Sequence, residues 1–397
     1  MKKILMVIPY ISLPGEHGYN RFRFIAEKLS ERGHEVHLLT SCFNHVLKKN
    51  RTIDSIKGLP YKVHLISEPG YKKNVGLMRI ISHFVLNQNM ESFIKSQNIK
   101  FEVLYCAYPT MSICNTVGKW AKKRKLPFFI DVQDIWPESI KTVLNLPDFF
   151  WSIILFPLTL WANQIYSRAD YIIAVSQTYL ERALKCNKKY KKAVLVYIGS
   201  DLSLFKINHS LIKRNDEFWA IYIGTISHSY DIKTVILAAK SIQDSSNDKI
   251  KFQLLGIGPQ LNEMKTLSEK LDCKNVNFVG YLPYEQMIEY LLNSDVALNA
   301  LKGNSQQSIT NKLSDYLSAG LFILNSSPNK EIVDLINNYN LGTNYLAGDY
   351  MTLCNKLIDI FNNRQILKES GQRALTFSEK YMDRNLSYNK IFELIEN

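Results

Sequence analysis

Cysteine is scarce in this chain: six residues in 397 (Cys42, Cys106, Cys114, Cys186, Cys273 and Cys354), none in a CxxC or metal-ligand spacing. That excludes a zinc ribbon and a disulfide framework, and it predicts reduced, mostly buried thiols of a cytosolic protein. No DxD motif or histidine cluster stands in a suitable loop, so no metal ligands are expected. Internal repeats and low-complexity tracts are missing, which excludes solenoids and disordered tails. Neither a GxGxxG nor a P-loop pattern occurs. Long hydrophobic runs are missing too, with one near exception at 149–167, nineteen residues without a charge. Pro157 interrupts that stretch, Asn163 and Gln164 are polar, and a span there would split an α/β pattern that resumes at Tyr171. A buried helix is expected, with an aromatic helix lying at a membrane interface as the alternative. The start reads against a secretory leader, because the apolar run at 4–9 is too short for its core.

Acid is thin in one half only. Residues 1–200 hold 14 Asp and Glu against 29 Lys and Arg, a net of +15, whereas 201–397 hold 22 against 20, a net of −2. A basic first half implies an anionic surface facing it, either nucleic acid or an acidic membrane leaflet. No recognised nucleic-acid module or aromatic–basic interleaving supports the former. The runs at 122–125 and 188–192 supply the basic surface.

What is present is alternation. The length exceeds what one core usually supports, so two domains are expected. In the first half, apolar strands at 3–8, 36–40, 62–66, 103–106, 127–132 and 171–175 alternate with helical patterns at 19–32, 75–95 and 109–124. The stretch 197–208 reads as a linker. Strands then recur at 219–224, 252–255, 276–279 and 296–298, with helices at 231–242, 261–271 and 284–292. Such alternation builds two parallel-sheet, Rossmann-like domains. The expected boundaries are 1–198 and 199–375, with a C-terminal helix at 376–397 packing back on the first.

Three stretches carry candidate chemistry. The segment 304–326 (NSQQSITNKLSDYLSAGLFILNSS) enters a helix through cap-type residues at 308–311. Leu313, Tyr316 and Leu317 form its buried stripe, and Gly320 ends it as a C′ glycine before a buried strand. A helix start at the carboxyl edge of a sheet binds anions, and Asp315, one turn in, can accept hydrogen bonds from sugar hydroxyls. The loop PGEHGYNR places Gly15 and Gly18 before another helix start. The strand at 127–132 runs into DVQDIWPES, where Asp131, Asp134, Trp136 and Glu138 cluster at the ligand-binding edge. The plainer reading of that last cluster is a capping Asp, with Asp134 or Ser139 closing a helix end.

Taken in order, PGEHGYNRFRFIAEKLSERGHEV, DVQDIWPES, ADYIIAVS, YIGSDLSLF, LLGIGP, NVNFVGYLP and SITNKLSDYLSAG resemble a bacterial family 4 glycosyltransferase of the GT-B fold, from end to end. The subgroup most similar in its WPES segment builds surface polysaccharides, of capsule or O-antigen type, on a lipid carrier. The resemblance implies two Rossmann-like domains facing a cleft, a nucleotide sugar (UDP- or GDP-linked) bound mainly by the second, and an acceptor bound mainly by the first. It also implies transfer with retention, at the cytoplasmic face of the membrane, with no cofactor beyond the substrate. Donor contacts fall on Gly15, Gly18, Arg21, Gly224, Thr225, His228, Gly256, Gly258, Tyr281, Ser308, Asn311, Lys312, Leu313 and Asp315. Acceptor contacts fall on His17, Asn20, Trp136 and Glu138, and the catalytic positions on Asp131, Asp134 and Gln307.

Departures are informative. The family's paired glutamates fall on Gln307 and Asp315, so Asp315 can keep the ribose role on a shorter arm while Gln307 carries no charge. The usual Arg and Lys after the first strand of the donor domain are replaced by GTISHSYDIKT. Neutralisation of a diphosphate then rests on backbone amides, Lys312 or Arg21. Two other readings use similar architecture: a sugar-nucleotide epimerase, which needs no lipid acceptor, and a non-catalytic binding partner.

Overall fold

The computed structural model describes every residue except 17–20, 52–55, 74–75, 143–147, 207–215, 246, 304 and 306–307. The chain folds as two compact units, Met1–Val196 with Tyr388–Asn397, and Tyr197–Ser387. The returning segment is shorter than 376–397, because the helix Gln365–Phe377 and the turn Ser378–Met382 pack within the second unit.

The first unit is built on a seven-stranded parallel sheet. Its strands are β1 (Lys3–Val7), β2 (Glu35–Ser41), β5 (Lys62–Ile66), β6 (Val103–Tyr108), β7 (Phe128–Val132), β8 (Tyr171–Ala174) and β9 (Lys192–Leu195), in the order β5-β2-β1-β6-β7-β8-β9. A small antiparallel pair, β3 (Phe43–Asn44) and β4 (Lys49–Asn50), follows β2. β6 and β7 are buried along their whole length, as parallel strands covered on both faces must be. The last helix, Asn389–Glu396, adds Ile391, Phe392, Leu394 and Ile395 to the same core.

The second unit repeats the plan with six parallel strands. They are β10 (Phe218–Ile223), β11 (Ile250–Leu255), β12 (Val276–Gly280), β13 (Val296–Asn299), β14 (Phe322–Asn325) and β15 (Gly342–Asn344), in the order β12-β11-β10-β13-β14-β15. In both sheets the order reverses beside the first strand, between β1 and β6 and between β10 and β13. Crevices at such switch points, outside the carboxyl ends of the strands, are where doubly wound folds hold ligands.

The uncharged stretch 149–167 is neither one buried helix nor a span. It forms two helices, Asp148–Ile154 and Phe156–Tyr166, with Pro157 in the first turn of the second. Trp151, Leu155, Ala162, Ile165 and Tyr166 are buried, whereas Phe150, Ile153, Ile154, Phe156 and Leu160 are exposed. Proline breaks the run because it has no amide to donate, and each short helix then buries one side only. Among the described residues no helix is long and apolar enough to cross a membrane.

Candidate functional site

The carboxyl edge of the second sheet is assembled around β10. Its end, Ile223–Gly224, lies beside the end of β11, where Gly224 donates its amide to Leu255 at 2.8 Å. A Cβ on Gly256 would fall 1.8 Å from the Gly224 carbonyl oxygen, and one on Gly258 would fall 2.2 Å from that of Ile226. These two glycines therefore let one loop pack closely on the other. Gly224 has φ +113°, and a Cβ there would meet the Lys312 side chain at 2.5 Å.

Lys312 comes from the first turn of the helix Asn311–Ser318. Its Nζ donates to the Tyr222 hydroxyl at 2.8 Å and stands 3.3 Å from the centroid of the Tyr230 ring. Among the described residues no carboxylate pairs with it. Burial without a counter-charge pushes its pKa well below the usual lysine value. An anion arriving here would restore the charge. Thr310 precedes the helix with extended backbone and makes no side-chain cap, so its hydroxyl satisfies none of the first-turn amides. Ser308, expected among the cap-type residues, donates instead to Glu331 Oε2 at 2.9 Å. Leu313 sends its side chain into the core with Tyr316 and Leu317, so its side chain is not a ligand contact. Gly320 ends the helix at φ +68°, with Leu321 donating back to Tyr316 O, the Schellman pattern.

Asp315 sits one turn in and is buried. Its Oδ1 accepts from the Ser200 hydroxyl at 2.6 Å and from Tyr284 at 2.7 Å. Burial raises its pKa, and the two hydroxyls partly oppose the shift. Thr225, His228 and Tyr281 are exposed on neighbouring loops. Gln307 lies outside the described residues. Sequence reasoning missed the Tyr222–Tyr230 cage, because Tyr222 reads there as one more strand residue. It also missed a ladder across three strand ends, in which Asn299 donates to Asn325 and Asn325 to Asn344, each at 2.7 Å.

In the first unit the expected ligand contacts turn inward. Arg21 is fully buried, donating through Nε to Asp131 Oδ2 at 3.0 Å and through Nη1 to Val196 O and the Tyr388 hydroxyl. Asp131, equally buried, also accepts from Tyr105 and Gln133. Arg21 as a donor contact and Asp131 as a catalytic group are thus corrected: they neutralise each other inside the core and tie the last segment of the chain to the sheet. Asp134 accepts from the Ile135 amide at 2.8 Å and from the Ser139 hydroxyl at 2.5 Å, bonds that hold the loop after β7 together. Glu138 is held by Arg182, whose guanidinium lies over the Tyr166 ring. Trp136 gives its carbonyl to Tyr108 and is joined to Pro137 by a cis peptide. Gly15 turns the loop at φ +79°, after which Glu16 accepts two bonds from the buried Arg51, at 2.7 and 2.9 Å. That clamp fixes the loop and had no local signal, since the pair is 35 residues apart. His17, Gly18 and Asn20 lie outside the described residues.

Comparison with known proteins agrees with this architecture. Residues 21–204 match the family described as Glycosyltransferase Family 4, and residues 205–376 match Glycosyl transferases group 1. An uncharacterized glycosyltransferase of Methanocaldococcus jannaschii is 21% identical over 241 residues, which is 59% of this chain. The chain spans about 60% of the length of that relative. Among solved structures, HepE of Anabaena in complex with UDP superposes with TM-score 0.71 at 13% identity, covering 99% of both chains. Sucrose-phosphate synthase of Thermosynechococcus elongatus gives 0.73 at 14%, covering 100% of this chain and 98% of that one. WaaG, a glycosyltransferase involved in lipopolysaccharide biosynthesis, gives 0.67 at 12%, covering 98% of each. These likenesses are likenesses of fold, the two-domain GT-B architecture. Each half of the chain thus matches a glycosyltransferase domain family of its own.

Proposed function

We propose that this protein transfers a sugar, with retention of configuration, from a nucleotide sugar to a lipid-linked saccharide in the synthesis of a bacterial surface polysaccharide. The observation that carries this reading is Lys312: a caged cation at a helix start, on the carboxyl edge of the second sheet. The bond from the anomeric carbon to the diphosphate breaks, a hydroxyl oxygen of the acceptor takes the diphosphate's place, and the hydroxyl proton passes to the departing diphosphate. Negative charge grows on the departing nucleoside diphosphate, and preorganised donors at that point lower the barrier most. Lys312 and the first-turn amides supply them, so the chain needs no cofactor beyond its substrate. Asp315, held in place by Ser200 and Tyr284, accepts from the ribose hydroxyls. UDP in the HepE crystals supports a uridine donor over a guanosine one.

The acceptor is assigned to the first domain, with Trp136 and Glu138 at the edge of its sheet. Attachment to the cytoplasmic membrane face is peripheral, through the exposed Phe150, Ile153, Ile154 and Phe156 and the net +15 of residues 1–200. Screening UDP-, GDP- and dTDP-sugars for thermal stabilisation tests the donor half. A binder at 100 times its Kd stabilises by about 2.7 kcal/mol. The expected result is stabilisation by one base class. No response to any of them, or isomerisation of the sugar nucleotide without an acceptor, would overturn the reading.

A further inference from the structure

Near the Lys312 cage stands one more polar group, the Ser326 hydroxyl, just past the end of β14 and only 4% exposed. It accepts from the Leu301 amide at 2.9 Å and donates to the Leu301 carbonyl at 2.8 Å. The Ser326 amide donates in turn to Asn299 O at 3.2 Å. β13 and β14 run in parallel register up to Asn299 and Asn325. Beyond that pair the serine side chain does what a further ladder step would do. A hydroxyl can, because it both donates and accepts.

Leu301 is held on its other side as well. It forms an antiparallel bridge with Tyr230, flanked by bonds from Asp231 N to Ala300 O and from Lys302 N to Ser229 O, both at 3.1 Å. The Tyr230 ring then meets Lys312 Nζ at 3.3 Å from its centroid and stands edge-on to Tyr222 at 5.9 Å and 67°. Among the described residues, the titratable groups against Nζ are Tyr222 from β10 and Tyr230 from the loop after it. Asp231, the acid next in sequence, accepts from the Gly348 amide at 2.7 Å. A line of contacts thus runs from Ser326, through the Leu301 peptide, to the ring that faces the lysine.

Removing the hydroxyl would leave the Leu301 N–H and C=O without that partner at a residue only 1% exposed, and unpaired buried groups are costly. Segment 300–302 regains partners by shifting, and its bridge partner Tyr230 shifts with it. A displaced ring no longer presents its face to the lysine, whose flexible four-carbon stem then loses its aim.

We infer that Ser326 is a positioning residue of the donor site: it holds Leu301, and through Leu301 the Tyr230 ring, so that Lys312 is aimed before the diphosphate arrives. The inference rests on the proposed donor site, and the second measurement below needs no nucleotide.

Calorimetry with UDP on the full-length protein should show Ser326→Ala weakening binding roughly threefold to tenfold. Acetic anhydride labelling of Lys312, read by mass spectrometry without nucleotide, reports the cage itself. Burial holds the Lys312 pKa below its usual value, so admitting water should raise the pH at which labelling sets in by about one pH unit. Ser326→Cys, a weaker donor and acceptor, should move both readouts less and in the same direction. Tyr230→Ala should move both readouts as Ser326→Ala does, and Ser326→Ala should add nothing in that background. Ser370→Ala removes another buried hydroxyl, which donates to Asn340 O at 3.2 Å, and should change neither readout. Unchanged affinity and labelling in Ser326→Ala, or effects additive with Tyr230→Ala, would overturn the positioning role. So would an affinity loss with unaltered labelling, or a Ser370→Ala variant that matched Ser326→Ala. A labelling shift in Ser326→Ala, with no UDP binding to the unaltered protein, would leave the positioning of Lys312 standing and remove the donor reading.

Discussion

The two sheets share the order of six strands and treat charge at their carboxyl edges in opposite ways. Below the first sheet's edge, cations are answered by carboxylates: Arg21 by Asp131 and Arg51 by Glu16. At the second, Lys312 has two tyrosine rings and no acid among the described residues. A buried pair is internally complete and makes architecture. A caged cation is incomplete and stays available to a ligand. The comparison separates positions that look alike in sequence, since Arg21 and Lys312 both stand in the first turn of a helix behind a loop at a strand end.

The largest expected effect comes from breaking the paired side. Arg21→Met leaves Asp131 buried without its counter-charge and should destabilise the protein by about 3–5 kcal/mol, read from urea unfolding. Arg21→Met combined with Asp131→Leu should recover part of that loss. A double variant as unstable as the sum of the singles would mean the pair is not coupled.

Next comes Lys312→Met. Charge-assisted hydrogen bonds contribute about 1.5–3 kcal/mol, so donor affinity should fall roughly tenfold to a hundredfold while the fold holds. The pH dependence has a definite sign. The folded pKa of Lys312 lies below its ordinary 10.5, so between the two the unfolded chain binds more protons and stability should rise with pH. Nucleotide binding favours the charged amine, so affinity should fall over the same range, and both trends should vanish in the methionine variant. Unaltered trends would assign the titration elsewhere.

Asp315→Ala should weaken nucleotide binding by about tenfold or more through loss of the ribose acceptor. Asp315→Asn, which can still accept from Ser200 and Tyr284, sharpens the test. A normal affinity in the asparagine variant would make Asp315 a structural residue of the paired kind.

Membrane attachment should show the smallest changes. Phe150→Ser should remove the salt-resistant part of vesicle binding. Lys122–Lys125→Ala should do less, because Lys122 and Lys125 line a cavity of about 270 Å³ with Arg168, Asp170 and Lys191, at the amino ends of β7 and β8. Flotation with anionic vesicles at low and high salt reads both. Equal losses in the two variants would show that charge at the amino edge matters as much as the apolar face.

The sequence by itself determined the two alternating α/β halves, the helix at Asn311 and the glycine that ends it. Those features depend on short-range periodicity and on φ, which neighbouring residues dictate. It also located DVQDIWPES and the 304–326 segment at sheet edges. What it could not decide was which polar side chains face each other. Arg21 meets Asp131 across 110 residues, Arg51 meets Glu16 across 35, and Lys312 meets Tyr222 across 90. Whether a charge finds a partner depends on which strand ends the parallel order brings side by side, and no local pattern encodes that. Only the tertiary structure turned Arg21 and Asp131 from ligand contacts into a buried pair and left Lys312 in an aromatic cage.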